Sequence, residues 1–284
     1  MPEGKIYPVG CSRYIKEMSA IQDQQYYTTV AKSNELIRKG CYGLSTVQQK
    51  LLCYLIADIK DTDTSETVKE YNLKDIYDFL CVNSNSTEVM KNVTAIDKKS
   101  WWIVNDTESI RYRFFNTLIV THDNKIKFSF HETILPYLQN LFVNKNYTYY
   151  RILYILCMKS EYSIRLYEML KAAENLQVWH YDLDYLKEQL DCTDKYSRFG
   201  DFKKRVIDPA VIEINEQTDI TVSYSMYKNP RGHNFNGIEF YIKTKDKIER
   251  LNAERGLRDK LNASIENNHK NRVVEKPIPE RKEN

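Results

Sequence analysis

The sequence predicts a helix-rich α+β fold built from two tandem winged-helix domains that are related by an internal pseudo-repeat. Residues 147–220 contain three helical patterns followed by a β-rich run, which is the order of elements in a winged helix. The same order of patterns occurs earlier in the chain. A length of 284 residues is sufficient for two such domains, each with its own core.

The pseudo-repeat consists of matching residues at a constant offset of 110 positions. Each copy places an Asx residue where a helix N-cap belongs and apolar residues at i, i+3 and i+7 after it. The matching positions are Tyr71, Asn72, Leu73, Ile76 and Leu80 in the first copy, and Tyr181, Asp182, Leu183, Leu186 and Leu190 in the second. After a slightly longer loop in the second copy, Val89, Val93 and Ile96 correspond to Phe202, Val206 and Pro209. Two unrelated amphipathic helices with similar caps are the alternative, because this periodicity is common.

The pattern of composition divides the chain into four segments. We expect an N-terminal arm at residues 1–30, a first winged-helix domain at 31–143, a second at 144–245 and a charged tail, partly helical but mostly flexible, at 246–284. The tail is poor in large apolar side chains, which is typical of mobile segments.

In the first domain, Ser45 and Gln48 predict a capping box at the start of a helix. The recognition helix is predicted from Glu88 to about Lys99. Ile110 to Val120 and Lys125 to Phe130 alternate as the strands of a wing.

A turn at His122 to Asn124 joins these two strands. Glu132 to Phe142 is predicted to be a short linking helix, since Pro136 would break a longer one. In the second domain the recognition helix is predicted from Asp201 to about Glu216, and Pro209 is expected to end or bend it. A second wing follows from Thr221 to Lys243.

The predicted recognition helices and wings carry the candidate DNA-binding residues. Arg can donate two hydrogen bonds to guanine, whereas Lys, Ser and Tyr contact phosphates or base edges. The candidates in the second domain are Tyr196, Ser197, Arg198, Lys203, Lys204 and Arg205, with Lys228, Arg231 and His233 on the wing. The candidates in the first domain are Lys91, Lys98 and Lys99, with Arg111, Arg113 and Lys125 on the wing. For a single residue, a solvated basic surface is an equally good interpretation, but the clustering favours contact with double-stranded DNA.

Other residues give little support for an enzyme. The five histidines are isolated, the six cysteines form no C-x-x-C pair, and no G-x-x-x-x-G-K-[ST] loop is present. We therefore predict no catalytic residue, no cofactor and no metal. A two-metal nuclease whose carboxylates converge only on folding remains open.

Net charge and hydropathy indicate which partners and which cellular location the sequence favours. The net charge of +3 is only mildly basic, so the distribution of charge rather than its total supports nucleic-acid binding. The N-terminus lacks the apolar run of a signal peptide, and no segment approaches the roughly 20 apolar residues of a membrane span. The sequence predicts a cytoplasmic protein with no membrane partner.

Two runs of residues resemble a known family. MKSEYSIRLYEMLK (Met158 to Lys171) and FKKRVIDPAVIEINEQTDI (Phe202 to Ile220) look like the signature segments of the initiator replication proteins of theta-replicating, iteron-containing bacterial plasmids. Weaker similarity in the first half rests on NELI (Asn34 to Ile37) and LSTVQQKLL (Leu44 to Leu52). The resemblance spans roughly Asn34 to Lys243.

This resemblance implies two tandem winged-helix domains and a role in plasmid replication. Members of the family bind directly repeated origin sites as monomers, open the adjacent AT-rich DNA, and recruit host proteins such as DnaA and the replicative helicase. Homodimers formed through the first domain bind an inverted repeat in their own promoter and repress it. The dominant major-groove contacts would lie between Tyr196 and Arg205.

Two rival functions remain open at the level of sequence. A winged-helix transcription regulator would bind duplex DNA without initiating replication. A rolling-circle nicking enzyme is less favoured, because the His-x-His pair that would hold its metal ion is missing.

Overall fold

The computed structural model describes residues 28–40, 43–80, 86–99, 101–104, 109–144, 146–228 and 235–273. Its helices are α1 (Asn34–Lys39), α2 (Thr46–Ile56), α3 (Leu73–Phe79), α4 (Ser86–Lys98), α5 (Leu141–Asn144), α6 (Leu153–Leu156), α7 (Glu161–Lys171), α8 (Leu183–Gln189), α9 (Phe199–Phe202), α10 (Asp208–Gln217) and α11 (Lys247–Val273). Its strands are β1 (Thr29–Ser33), β2 (Lys69–Asn72), β3 (Trp101–Val104), β4 (Ser109–Tyr112), β5 (Phe115–Val120), β6 (Lys125–Phe130), β7 (Tyr147–Arg151), β8 (Val178–Asp182), β9 (Ile220–Lys228) and β10 (Phe235–Thr244). A π-helical turn, Lys203–Ile207, lies between α9 and α10.

The same order of elements occurs in both halves of the chain. The first half runs α2, β2, α3, α4, β5, β6, with the separate strand pair β3–β4 between α4 and β5, and its three-stranded sheet has the strand order β2-β6-β5. The second half runs α7, β8, α8, α9–α10, β9, β10, with the strand order β8-β10-β9. Both sheets are antiparallel, and a hairpin follows the third helix of each unit. The predicted fold, two winged helices related by a pseudo-repeat, is therefore confirmed.

The matched residues of the pseudo-repeat have matched roles. Asn72 caps α3 by accepting a hydrogen bond from the Lys74 amide at 3.0 Å, and Asp182 caps α8 by accepting one from the Asp184 amide at 3.0 Å. Such caps satisfy amide groups that the first helical turn leaves unpaired. The apolar residues that follow are buried in both copies: Ile76, Leu80, Leu186 and Leu190.

Of the two effects predicted for Pro209, ending or bending the third helix of the second unit, ending is not observed. The helix runs through α9, the π turn and α10, and Pro209 lies in the first turn of α10. Proline has no N–H group to donate to the carbonyl of the residue four positions before it, and its ring clashes with that carbonyl in a regular helix. The wider π turn relieves this conflict: the Asp208 amide donates five residues back, to the Lys203 carbonyl.

The π turn also shifts the pseudo-repeat by one residue. Val89, Val93 and Ile96 are buried in α4, as predicted. Their expected third counterpart, Pro209, is exposed, whereas Ala210 is buried. The buried spacing changes because a π turn inserts one extra residue into the helix.

Two connecting segments also differ from the prediction. The expected linking helix of Glu132 to Phe142 is replaced by a 3-10 turn, Leu135–Tyr137, which has Pro136 in its first turn, and by the short α5. The expected strand from Ile110 to Val120 is interrupted after Tyr112, and its first part pairs with β3 rather than with β6. The turn before β6 contains Asn124 at φ 60°, a left-handed conformation that Asn tolerates well.

The tail, predicted to be partly helical but mostly flexible, begins with a helix that packs on the rest of the molecule. Leu257 and Leu261 of α11 are buried, and α11 lies against α6. Glu254 is buried as well and is paired with Arg151 at 2.5 Å. These few buried side chains order a segment whose composition is otherwise typical of a mobile tail.

Contacts cross the predicted boundary at 143/144. Strand β1 pairs with β7 in antiparallel register, with Val30 opposite Tyr150. The Lys32 ammonium is buried 2.6 Å from the Glu168 carboxylate of α7. Residues 147–171 are therefore attached to the N-terminal part of the chain. The predicted division into four segments stays a prediction.

Candidate nucleic-acid interface

The basic residues of α4 lie on its exposed side. Lys91 and Lys98 are exposed, and the Lys91 ammonium is 3.9 Å from the Glu88 carboxylate. This exposed i,i+3 pair holds Lys91 only weakly. Lys99, just after the helix, is half-buried. Helix α4, the third helix of the first unit, therefore presents two cationic side chains to solvent, and a third lies beside its C-terminal end.

The first wing carries charge of both signs. Arg111 and Arg113 are exposed at the end of β4. Lys125 is paired with Glu70 at 2.9 Å and with Asp123 at 3.3 Å, and the hydrogen bond to Glu70 is the main reason that its pKa is raised. Part of the charge of Lys125 is therefore already neutralised within the protein.

In the second unit, the exposed cations lie at the start of the third helix and in its π turn. Arg198 is exposed at the N-cap of α9, with Ser197 exposed beside it. Lys204 and Arg205 are exposed in the π turn. Neither has a hydrogen-bond or ion-pair partner in the described part of the chain. Exposed Arg, Lys and Ser side chains are chemically able to bind phosphates or base edges.

Lys203 is held within the protein. Its ammonium group is 3.0 and 2.8 Å from the two carboxylate oxygens of Asp208 and 5.7 Å from the centre of the Tyr224 ring. The hydrogen bond to Asp208 is the main cause of its raised pKa. Burial acts to raise the pKa of Asp208, but hydrogen bonds from Lys203 and Tyr224 outweigh it and the pKa is lowered. Lys203 is therefore charged and engaged with Asp208.

Tyr196 also has a packing role. Its ring is half-buried and lies 6.2 Å from the Phe202 ring and 6.4 Å from the Tyr162 ring. Its backbone carbonyl accepts a hydrogen bond from Lys187 at 3.0 Å. These contacts anchor the loop that leads to Arg198.

The second wing is described only in its strands. Arg231 and His233 lie outside the described residues, and so does the side chain of Lys228 at the end of β9. The strands that carry this wing are long: β9 and β10 pair over nine residue pairs, from Thr244↔Ile220 to Phe235↔Lys228.

Arg165 does not lie on the candidate DNA-binding surface. It is buried, donates to the Gly40 carbonyl at 2.8 Å and to the Gln189 side chain at 3.1 Å, and lies 3.9 Å from Glu168. The Arg165 guanidinium is therefore engaged within the protein.

The residues that join the third helix to the wing are not among those predicted from the sequence. Asp208, Asn215 and Tyr224 make these contacts. In the sequence, Asp208 directly precedes Pro209, and a helix is often distorted beside a proline. This Asp-Pro pair is the only sign in the sequence that the Asp208 side chain could make contacts outside a regular helix.

The described residues place no group of three or more His, Cys, Asp or Glu side chains where they could hold a metal ion. Among the same residues, no helix is both long and apolar enough to cross a bilayer.

Two winged helices in tandem, each with exposed cations on or beside its third helix, define a class of double-stranded DNA-binding proteins. Two family models match this chain: "Initiator Replication protein, WH1" over residues 29–171 and "Initiator Rep protein, WH2" over residues 182–242. The first alone matches half of the chain. The chain belongs to the initiator replication protein family, and the resemblance to plasmid replication initiators seen in the sequence is confirmed.

A solved structure has a similar fold. It is described as the crystal structure of Pi initiator protein in complex with iteron DNA, and it matches with a TM-score of 0.63 at 18% sequence identity. The match covers 78% of this chain and 99% of that chain. Helix α11 lies beyond the end of the second family match at residue 242.

Proposed function

We propose that this replication initiator binds directly repeated duplex sites at a plasmid origin with both winged-helix units and helps to open adjacent AT-rich DNA. The observation that carries the proposal is the repeated unit, in which a capped helix positions a third helix with exposed cations on or beside it. The Pi initiator protein, which has a similar fold, is described in complex with iteron DNA. Two such helices on one chain can read successive major grooves.

The mechanism requires only binding energy. Contacts from Arg198, Lys204 and Arg205 supply base and phosphate recognition in the second unit, while Lys91 and Lys98 attract phosphates in the first. Bending by adjacent bound copies lowers the cost of opening a flexible AT-rich segment nearby.

The test is selection of bound duplexes from a random DNA library at near-physiological salt. We expect a defined site of about two helical turns, because each third helix reads one major groove. Directly repeated copies of that site beside AT-rich DNA would support initiation. Recovery of sequence-independent, salt-sensitive binding alone would overturn the proposal, and a lone inverted repeat would favour a transcription regulator.

We further propose the partners that the family implies. These are DnaA and the replicative helicase at the origin, and a second copy of this chain, joined through the first unit, at an inverted repeat in its own promoter. Sedimentation with each DNA tests the second proposal: the inverted repeat should bind two copies and a single direct repeat one. An initiator of plasmid replication acts in the bacterial cytoplasm.

The proposed mechanism contains no catalytic step. Incubation of the protein with supercoiled plasmid carrying the selected site, with and without Mg²⁺, tests this directly. We expect the DNA to remain supercoiled, and metal-dependent nicking would instead support a rolling-circle enzyme.

A further inference from the structure

The third helix of the second unit is joined to wing strand β9 at two points. At the first, the Asp208 carboxylate accepts hydrogen bonds from the Lys203 ammonium, at 3.0 and 2.8 Å, and from the Tyr224 hydroxyl. At the second, the Asn215 side-chain amide donates to the Val222 carbonyl at 2.9 Å and accepts from the Val222 amide at 2.6 Å.

These two points lie on matching faces of the helix and the strand. Asp208 and Asn215 are seven residues apart on α10, about two helical turns, and Val222 and Tyr224 are two residues apart on β9. Two attachments along the length of α10 fix both its position along β9 and its rotation about its own axis. A single attachment would leave the rotation free.

The pairing of Lys203 with Asp208 depends on the π turn. Residues five apart diverge on a regular α-helix, since 3.6 residues complete one turn, whereas an i→i+5 turn brings them together. Lys204 and Arg205 lie inside this same turn and are exposed. Their directions are therefore set by the geometry that Lys203 and Asp208 hold.

We propose that Asp208 is a positioning residue for DNA recognition: by holding Lys203 and Tyr224 it fixes the π turn and aims Lys204 and Arg205 at base edges. Lys203 then serves this arrangement instead of reading a base itself. The inference rests on the proposed function, in which this helix enters the major groove. It adds a residue that specifies the DNA sequence without contacting DNA.

Two conservative variants test the proposal. Asp208→Asn keeps the size of the side chain but removes the charge that holds Lys203, and Tyr224→Phe removes only a hydroxyl group. The matched controls are Asp259→Asn, exposed on α11, and Tyr149→Phe, exposed on β7. For each protein, library selection gives the base preference at every position, and titrations give the affinities for the selected site and for unrelated DNA.

We expect both variants to bind unrelated DNA as the unaltered chain does, because Lys204 and Arg205 still attract phosphates. The affinity for the selected site should fall about tenfold, and base preference should relax at only two or three adjacent positions, since a misaimed side chain loses its own base pair. The thermal midpoint should stay within a few degrees of that of the controls.

Three outcomes would overturn the inference. An unchanged base preference in both variants shows that Asp208 does not aim the reading residues, while the proposed function stands because the unaltered chain still selects a site. A uniform loss at all positions together with a lower thermal midpoint indicates a purely structural role. If the unaltered chain selects no site, the proposed function fails and this inference fails with it. Should Asp208→Asn not fold, Tyr224→Phe decides alone.

Discussion

A single buried carboxylate joins several parts of the chain. Glu168 on α7 lies 2.6 Å from the Lys32 ammonium of β1 and 3.9 Å from the Arg165 guanidinium, and it accepts a hydrogen bond from the Tyr150 hydroxyl of β7. Burial acts to raise the pKa of Glu168, but the charges of Lys32 and Arg165 outweigh it, so the pKa lies below its usual value. Removing one partner of a buried pair leaves the other charge uncompensated.

We therefore expect Glu168→Gln to lower the free energy of unfolding by about 3–5 kcal/mol near neutral pH. A depressed folded-state pKa contributes stability above the unfolded-state value, roughly 4.3, and loses it as the pH falls through the folded-state value. Urea unfolding between neutral and acid pH measures both effects. The variant should lose part of the acid sensitivity of the unaltered chain.

The matched control is Glu35→Gln, which breaks the exposed pair with Lys39 on α1. Its cost should be below about 1 kcal/mol, because exposed pairs are screened by solvent. Equal costs for the two variants would contradict the role assigned to Glu168.

At the same scale, the exposed arginines of the second unit are expected to carry the base contacts. Arg198→Ala and Arg205→Ala should each weaken binding to the selected site by about 1–3 kcal/mol, the worth of one bidentate base contact. Fluorescence anisotropy with labelled duplex measures this loss. Arg255→Ala, exposed on α11, is the matched control and should bind normally. Wild-type affinity and base preference in both arginine variants would show that other residues read the DNA.

At the scale of elements, helix α11 is attached to the molecule by only a few side chains. Leu257 and Leu261 are buried, and Glu254 accepts a hydrogen bond from the Tyr154 hydroxyl at 2.5 Å. The exposed Leu251 lies on the same helix. This contrast allows the packing of the helix to be tested by two variants of identical chemistry.

Leu257→Ala should lower the free energy of unfolding by about 2–5 kcal/mol, since it leaves a cavity at a buried position of α11. Leu251→Ala should change it by less than about 0.5 kcal/mol, because it removes an exposed side chain. Urea unfolding of both variants provides the measurement. If the two costs were similar, α11 would not be packed as described.

Sequence predicted best those elements whose signals are local. The caps at Asn72 and Asp182 and the buried positions after them follow from residue type and spacing alone. The π turn could not be predicted in this way, because its cause is a conflict between Pro209 and a helix that the surrounding packing maintains. The Asp208–Tyr224 contact could not be predicted either, since it joins residues that only the folded wing brings together.

At the scale of the whole molecule, the two units are held together by contacts that are distant in sequence. Arg38 of α1 stacks 4.9 Å from the centre of the Trp179 ring, and its backbone carbonyl accepts a hydrogen bond from the Tyr185 hydroxyl at 2.5 Å. These contacts link the first unit to β8 and α8 of the second. Simultaneous binding by both units should therefore depend on one arrangement of the two third helices.

We predict that the affinity for the selected site falls steeply with salt, as expected when both units neutralise phosphates. Each phosphate contact contributes about −0.9 to the slope of log K against log salt concentration. Replacing both Lys91 and Lys98 by Ala should reduce the steepness by up to about 2 and leave base preference in the second half of the site unchanged. The measurement is a series of titrations at increasing salt. An unchanged slope would indicate that the first unit does not engage the DNA through α4.

The π turn also sets the second unit apart from the first without disturbing its packing. In a regular helix one inserted residue would rotate everything beyond it by about 100°, but a π turn absorbs the extra residue within one wide turn. The buried face beyond the turn is therefore kept, with Ala210 in the place expected for Pro209, and only the residues inside the turn, among them Lys204 and Arg205, take a new arrangement. An engineered exchange of third helices between the two units would have to carry the π turn and Asp208 with it, or Lys204 and Arg205 would no longer be held in the same directions.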